Sequence, residues 1–351
     1  MLELKQESIY NLSIFELQQK LVDIGLKKYL ADQIFDWIYK KLVVDFDDMT
    51  NISEANKEIL KKYFYIEKFD VDKLKIDKVD GTIKFLFKLC DNNFIETVLM
   101  KFNYGYSICV TSQVGCNMGC NFCASGLLTK KRNITVSEFI TQIIQTNKYL
   151  LEKTNEKISH IVVMGIGEPF DNFDNLVKFI DIVKYQKGLC ISPRRITVST
   201  CGLVHKIKEW ADLNNQVNLA ISLHASNDEI RSKLMRINKS FPIAKVIDAM
   251  DYYIEKTNRR VTIEYILIAG VNDSKENALE LAKLLKNKLC YVNIIPYNKV
   301  FETQYSRSKK SLYFCDILKS NGLTCTVRLE KGSSIDAACG QLRSRREKIN
   351  A

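Results

Sequence analysis

From residue 107 onward, short apolar runs alternate with amphipathic helical segments, and this alternation constrains the fold more than any other feature. The apolar runs predict strands at residues 108–111, 161–164, 196–199, 217–223, 261–267 and 292–295. The clearest helix between them begins with Thr135 and Glu138 at capping-box spacing. Repeated strand–helix units imply a parallel sheet, and about six of them predict an α/β fold with a barrel or partial barrel.

The first 65 residues show the apolar spacing of helices instead. Ser13 and Glu16 form a second predicted capping box, and further helices are predicted around residues 30–38 and 53–65. Two strand-like runs, 82–89 and 94–102, follow around a turn at residues 91–93. The predicted domains are therefore a small helical N-terminal accessory domain (1–80), a β-hairpin joint (81–104), a core (105–342) and a basic C-terminal tail (343–351).

Composition limits the class of protein. The chain has 351 residues, is 46% hydrophobic and contains only 4 prolines, which excludes disorder as its main state. No apolar run approaches the roughly 18 residues of a membrane span, and no secretory signal is visible, so we expect a cytoplasmic protein without a membrane partner. Eleven cysteines in a reducing compartment favour metal or thiol chemistry over a disulfide framework.

The net charge of +11 suits a polyanionic partner, either nucleic acid or a membrane surface, although a lysine-rich surface alone could produce it. Basic residues cluster at Lys130-Lys131-Arg132, Arg194-Arg195, Lys309-Lys310 and the C-terminal tail. Together these clusters indicate a folded RNA whose phosphates supply most of the binding affinity.

Three closely spaced cysteines carry the strongest chemical signal. Cys116, Cys120 and Cys123 form a C-x3-C-x2-C triplet just after the first predicted barrel strand. Three thiolates can hold a 4Fe–4S cluster and leave one iron open to a ligand. A tetrahedral zinc site would require a fourth ligand, and three buried free cysteines are the remaining alternative.

The triplet, with the aromatic Phe122 before its last cysteine, resembles the cluster motif of the radical S-adenosylmethionine (radical SAM) enzymes. Three more motifs occur with it over nearly the whole chain: GIGEP (165–169), ISLHA (221–225) and IDAACGQL (335–342). In order and spacing they resemble the RlmN/Cfr family of RNA adenosine methyltransferases. Within that family, the sequence is more similar to the C2-methylating RlmN branch than to the C8-methylating Cfr branch at residues 164–169, 219–225 and 261–265.

The resemblance implies a radical SAM core built as a partial (β/α)6 barrel, with one 4Fe–4S cluster on Cys116, Cys120 and Cys123. It implies that S-adenosylmethionine binds Gly167, Glu168, Ser199, Ser222, Leu223, His224 and Asn298. By the same resemblance, Cys339 becomes S-methylated, Cys109 is the second catalytic cysteine, and Glu96 is the proton acceptor. Physical support for Glu96 is thin, since a hairpin glutamate is usually solvated.

The family mechanism uses two S-adenosylmethionines per turnover. One methylates Cys339, and a radical from the other activates that methyl group for addition to adenine. Cys109 then releases the product and leaves a transient Cys109–Cys339 disulfide. The implied partners are 23S rRNA, tRNA next to the anticodon, and a flavodoxin-like or ferredoxin-like low-potential electron donor, with the protein a monomer and its N-terminal domain binding RNA.

Three alternatives remain open from the sequence. The first is C8 methylation of adenosine in 23S rRNA, as in the Cfr branch. The second, of another class, is a metal-cluster protein that binds RNA without catalysis. The third is a radical enzyme acting on a small molecule, for which the positive charge would be incidental.

Overall fold

A computed structural model describes residues 6–343. Its N-terminal region is a small helical unit closed by a two-stranded parallel pair. The elements are β1 (Glu7–Ser8), α1 (Ile14–Asp23), α2 (Leu30–Phe35), α3 (Glu54–Tyr63) and β2 (Phe64–Tyr65). The predicted capping box at α1 is present, because the Ser13 and Glu16 side chains each accept the other residue's backbone N–H.

The next segment is a three-stranded antiparallel meander rather than a hairpin. It consists of β3 (Asp70–Ile76), β4 (Ile83–Lys88) and β5 (Phe94–Phe102). The sequence prediction placed residues 70–76 in the helical region, and this is wrong. β3 is an edge strand with few buried side chains, so its alternating charges hide the apolar pattern of a strand.

The core is an open sheet of ten strands, in the order β14-β13-β12-β11-β10-β9-β6-β5-β4-β3. Strands β6 and β9–β14 run parallel, and the meander continues the same sheet antiparallel from β6. These strands, with a separate short ribbon β7–β8, are β6 (Gly105–Cys109), β7 (Gln113–Val114), β8 (Arg132–Asn133), β9 (Ile158–Val163), β10 (Ile196–Thr200), β11 (Asn218–Ser222), β12 (Val261–Leu267), β13 (Cys290–Pro296) and β14 (Cys325–Val327).

The helices that connect the parallel strands bury their apolar faces against the sheet. They are α4 (Val136–Thr154), α5 (Phe173–Val183), α6 (Val204–Asp212), α7 (Asp228–Leu234), α8 (Ile243–Thr257), α9 (Lys275–Leu285) and α10 (Ser311–Ser320). The predicted capping box of Thr135 and Glu138 starts α4. The α/β partial barrel with an N-terminal domain is confirmed. No helix between residues 6 and 343 is long and apolar enough to span a membrane.

Arg231, a fully buried arginine on α7, connects the ends of two neighbouring strands. Its guanidinium donates to the carbonyl oxygens of Cys201 (2.7 Å) and Leu223 (3.2 Å), which directly follow β10 and β11. It also donates to Asn238 Oδ1 (2.8 Å) and to the Phe241 carbonyl (2.9 Å). Arg231 therefore fixes the spacing of the strand ends, where barrel enzymes place their chemistry.

We expect Arg231→Lys to lower the free energy of unfolding by about 2–5 kcal/mol. An ammonium group is smaller than a guanidinium and cannot donate to all four of these oxygens, so some buried acceptors are left unpaired. Urea unfolding measures the change. The control is Arg194→Lys, at an exposed arginine that donates to Gln216. Equal stability of the two variants would contradict the role given to Arg231.

Candidate active site

The three cysteines lie on a loop that begins just after β7, beyond the carboxyl end of β6. The turn is tight: the Cys123 N–H donates to the Cys120 carbonyl at 3.2 Å, and the Gly126 N–H donates to the Cys123 carbonyl at 3.0 Å. A Cβ at Gly126 would lie 2.4 Å from the Cys120 carbonyl oxygen. Glycine is therefore required there for the loop to fold back on itself.

The donor chemistry of the loop, three closely spaced thiols, fits an iron–sulfur cluster. Burial raises the pKa of Cys116 to about 12, and it also raises the pKa values of Cys120 and Cys123. These thiols need a nearby positive charge, such as that of a metal centre, to become thiolates. Within residues 6–343, no three Cys, His, Asp or Glu side chains converge enough to hold one metal ion.

The cysteine loop closes one end of a cavity with about 880 Å³ of empty space, which we call the loop cavity. Its other walls come from residues at the carboxyl ends of β9–β14 and from Cys339 and Gly340. The predicted site residues in its lining are Cys116, Cys120, Cys123, Gly167, Glu168, Ser199, Ser222, His224 and Cys339. The structure thus brings nine predicted residues from five chain segments to one cavity.

Glu168 is a buried carboxylate with two backbone donors. One oxygen accepts the Cys201 N–H at 2.7 Å and the other accepts the Phe170 N–H at 3.1 Å. Burial raises its pKa, while these hydrogen bonds oppose the rise. Gly167 before it has φ +104°, and a Cβ there would lie 2.6 Å from Gln113 Cβ. Since each carboxylate oxygen has a second lone pair, Glu168 can still accept from a ligand ammonium group.

Hydroxyl and imidazole groups line the neighbouring strand ends. The Ser199 and Ser222 hydroxyls lie 3.3 Å apart on adjacent strands β10 and β11. His224 Nδ1 accepts the Ile266 N–H at 3.1 Å, and burial, aided by Arg231, lowers the His224 pKa to about 3. The imidazole is therefore neutral with its proton on Nε2, so it can offer one donor. Its backbone has φ +59°, a strained conformation of the kind found at functional sites.

A second cavity, with about 740 Å³ of empty space, lies between the inner face of β5 and residues 328–331. We call it the meander cavity. Cys109 and Asn298 line it, and Cys339 lines both cavities. Residues of the shared wall are Cys123, Ser125, Met164, Gly165, Ile295, Arg328, Cys339 and Gly340. Cys339 therefore stands between the cysteine loop and Cys109.

Two predicted cofactor residues lie apart from the rest. Leu223 is fully buried and lies outside the loop-cavity lining; only its backbone, which donates to Glu264 and accepts from Arg231, borders the strand ends. Asn298 lines the meander cavity, and its side-chain amide donates to the Cys339 carbonyl at 3.3 Å.

Glu96 lies outside the lining of both cavities and makes a buried ion pair with Lys84 at 3.1 Å. Both residues also bind the chain around Cys339. Lys84 donates to the Asp336 carbonyl at 2.9 Å, and Glu96 accepts the Arg343 N–H at 2.6 Å. The meander therefore holds residues 336–343, which we call the Cys339 segment, from one side.

The cysteine loop holds the same segment from another side. The Ala124 N–H donates to the Gly340 carbonyl at 2.7 Å, and the Ser125 hydroxyl donates to the Leu342 carbonyl at 2.8 Å. Because Ala124 directly follows Cys123, the position of Cys339 depends on the conformation of the cysteine loop.

Arg328 is the most prominent site residue that the sequence prediction missed. It directly follows β14, lines both cavities, and places its guanidinium 4.0 Å from the Met164 sulfur. Cys339 and Glu264 help to raise its pKa above the ordinary value, so it stays charged. Recognising β14 would have placed Arg328 at a strand end, but a strand of three residues is too short to show a periodic pattern.

Two residues of the basic cluster after the cysteine loop, predicted to bind phosphates, make ion pairs within the protein. Lys130 pairs with Asp171 at 2.7 Å. Arg132 pairs with Asp91 and Glu138, each at 2.7 Å. Both cations are therefore paired with carboxylates in the structure, and their part in RNA binding stays a prediction. The basic tail beyond residue 343 lies outside the described residues.

A parallel partial barrel with three clustered cysteines at its strand ends defines a radical SAM enzyme. The family model of the Radical SAM superfamily matches residues 110–282, and that of the ribosomal RNA large subunit methyltransferase N-terminal domain matches residues 8–66. A crystal structure of a radical SAM methyltransferase from Sphaerobacter thermophilus superposes with TM-score 0.93 and 41% identity, covering 97% of this chain and 100% of that one.

Curated relatives narrow the class. A probable dual-specificity RNA methyltransferase RlmN from Malacoplasma penetrans is 66% identical over 96% of both chains. One from Spiroplasma citri is 56% identical over 97% of this chain and 99% of its own. The chain belongs to the RlmN family of radical SAM RNA methyltransferases. It is a transferase, so the alternative of a non-catalytic RNA-binding protein is wrong.

We expect Lys84→Met to loosen the Cys339 segment, because it removes both the cation paired with Glu96 and the donor to the Asp336 carbonyl, which lowers the free energy of unfolding by about 1–3 kcal/mol. Hydrogen exchange should become faster in residues 336–343, and methylation should slow while iron content is unchanged. The matched control is Lys88→Met on the same strand. Unchanged exchange in this segment would contradict the prediction.

Proposed function

We propose that this protein methylates C2 of adenosine in 23S rRNA and in tRNA next to the anticodon, through an S-methylcysteine on Cys339 and with two S-adenosylmethionines per turnover. The position of Cys339 in the wall between the two cavities carries the proposal. A methyl group on its sulfur can be reached from the loop cavity, and the adenine can be reached through the meander cavity.

The cofactors are assigned to the loop cavity. Cys116, Cys120 and Cys123 hold the 4Fe–4S cluster, and Gly167, Glu168, Ser199, Ser222 and His224 surround S-adenosylmethionine. When bound, the reduced cluster supplies the electron that cleaves S-adenosylmethionine into methionine and a 5′-deoxyadenosyl radical. Glu168 and the Ser199–Ser222 pair offer the acceptors that an ammonium group and ribose hydroxyls require.

Asn298 and Leu223 take modified roles in this proposal. Asn298 orients the Cys339 segment through its hydrogen bond to the Cys339 carbonyl and faces the meander cavity. Leu223 contributes through its backbone, since its side chain is buried away from the cavity.

Cys339 carries the one-carbon unit. Its thiolate sulfur accepts a methyl group from the first S-adenosylmethionine, which leaves as S-adenosylhomocysteine. The methyl group later gives up a hydrogen atom to the 5′-deoxyadenosyl radical, and the resulting carbon radical joins the adenine. The ring then loses a proton, for which Glu96 is the proposed acceptor, and an electron, which would return to the oxidised cluster. The contact of Glu96 with Arg343 links it to the Cys339 segment.

Cys109 releases the product. Its thiolate attacks the Cys339 sulfur and forms an S–S bond, while the S–C electron pair goes to the carbon that joins the base, which takes up a proton from solvent to become the methyl group. Burial raises the Cys109 pKa to about 12, so the thiol is protonated at rest. The charge of Arg328 opposes that rise and favours the thiolate once the substrate is in place.

The RNA substrates are proposed from the family to which the chain belongs and from its net positive charge. The match of residues 8–66 to a ribosomal RNA methyltransferase N-terminal domain supports rRNA as substrate and RNA binding by the N-terminal unit. The relatives are named dual-specificity RNA methyltransferases, which supports a second RNA substrate, and we propose tRNA for it. We further propose a cytoplasmic monomer reduced by a flavodoxin-like or ferredoxin-like donor.

Removing any one of Cys116, Cys120 and Cys123 by alanine substitution should abolish the brown absorbance of the anaerobically reconstituted protein and its cleavage of S-adenosylmethionine. Cys90→Ala, at an exposed cysteine away from the loop cavity, is the control and should retain both. Full iron content in the triple variant would exclude this ligand set.

Cys109→Ala and Cys339→Ala should fail in different ways. Without Cys339 no covalent RNA species can form, whereas without Cys109 the adduct forms and is not released. A denaturing gel after expression should show RNase-sensitive extra mass for Cys109→Ala only, with exposed Cys190→Ala as control. Crosslinking of both variants, or of neither, would contradict the two roles.

Nucleoside chromatography of the methylated RNA tests the position of the methyl group. We expect 2-methyladenosine, because the RlmN relatives cover the whole chain at high identity. Finding 8-methyladenosine instead would transfer the protein to the Cfr-type activity, with the same cysteines in the same roles.

A further inference from the structure

Three aromatic rings form a cluster at the turn between β5 and β6. The rings of Phe102 and Tyr104 are stacked, with centroids 5.0 Å apart and planes 7° apart. The ring of His160, on β9, has its centroid 4.6 Å from that of Tyr104, and the two ring planes are 60° apart. We call these three residues the aromatic platform. Tyr104 is 59% exposed, so more than half of its surface is open to solvent.

The platform is continuous with the meander cavity. Phe102 lines that cavity, as do Cys109 and Cys339. Leu329 also lines it, and its side chain is 70% exposed, so this part of the lining forms the mouth. A molecule that enters the cavity at Phe102 therefore passes next to Tyr104.

A lysine lies beside the platform at the mouth. The Lys331 ammonium is 5.7 Å from the centroid of the Phe102 ring, and Lys331 lines the cavity. Arg328 lines the interior of the same cavity. Exposed aromatic rings combined with cations are the features that bind single-stranded nucleic acid, since bases stack on the rings and phosphates meet the cations. They do not suit an apolar protein partner, which would leave these charges desolvated and unpaired.

We propose that the aromatic platform binds the unpaired RNA nucleotide next to the target adenosine, with its base stacked on Tyr104 and its phosphate close to Lys331. This inference rests on the proposed entry of the target adenosine into the meander cavity. An adenosine can reach a buried sulfur only when it is extruded from its neighbours. The platform replaces the stacking partner that the adjacent base loses in this extrusion.

The test measures equilibrium binding of full-length protein to a fluorescein-labelled RNA hairpin with unpaired adenosines in its loop. Fluorescence anisotropy gives the dissociation constants. We expect Tyr104→Ala to weaken binding about 5- to 150-fold, the usual loss for one stacked base. Tyr104→Phe keeps the ring and should bind as the wild type does. Tyr313→Ala is the matched control, because Tyr313 is 52% exposed on α10 and lies outside the meander-cavity lining.

Abasic RNAs separate stacking from a general structural effect. Two hairpins lack the base on the 5′ or on the 3′ side of the target adenosine. One of them should bind the wild type about 5- to 150-fold more weakly and show little further loss with Tyr104→Ala. Additive losses with both abasic RNAs, or unchanged binding of Tyr104→Ala, would overturn the proposal. A changed sedimentation coefficient for Tyr104→Ala would also overturn it, by assigning the platform to contacts between copies of the chain.

Failure of the platform and failure of the proposed function give different results. If the wild type forms 2-methyladenosine but Tyr104 shows no coupling to either neighbour, only the platform is wrong. If coupling is present but no 2-methyladenosine forms in any RNA, the platform stands as an RNA-binding surface and the proposed reaction is wrong.

Discussion

The spacing of the strand ends is the constraint on which the rest of the site depends, and the buried guanidinium of Arg231 sets it. By donating to the carbonyls that follow β10 and β11, it fixes the chain just beyond Ser199 and Ser222. A parallel sheet leaves these carbonyls without ladder partners, and burying them unpaired would be costly. Burial, with this charge as the second cause, lowers the pKa of His224, which keeps that imidazole neutral and limits it to one donor.

A second set of polar contacts positions Cys339 beside these strand ends. The Cys339 segment has no strand of its own, so its position comes from hydrogen bonds to the cysteine loop and from the buried Lys84–Glu96 pair. The hydrogen bonds to the cysteine loop link Cys339 to the proposed cluster. The Lys84–Glu96 pair links it to the antiparallel meander. The proposed alternation between methyl acceptor, methyl donor and disulfide partner requires a segment held by replaceable hydrogen bonds instead of by a strand ladder.

Much of the fold was predictable because its signals are local. The capping boxes at Ser13 and Thr135 and the six central strands follow from residues within a few positions of one another. The strands at the two sheet edges were missed, because β3 is charged and half solvated and β14 has three residues. The ion pairs of Lys130 and Arg132 could not be predicted, because Asp171 and Asp91 each lie 41 residues away along the chain.

The sequence by itself determined the cysteine triplet, the parallel strands and the family, since each depends on short motifs whose order along the chain is directly readable. Only the tertiary structure decided that Cys339 stands between two cavities, that Arg328 joins it there, and that Glu96 is bound to Lys84. These contacts join residues far apart in sequence. They depend on strand register and on the path of the last segment across the sheet, which no local pattern encodes.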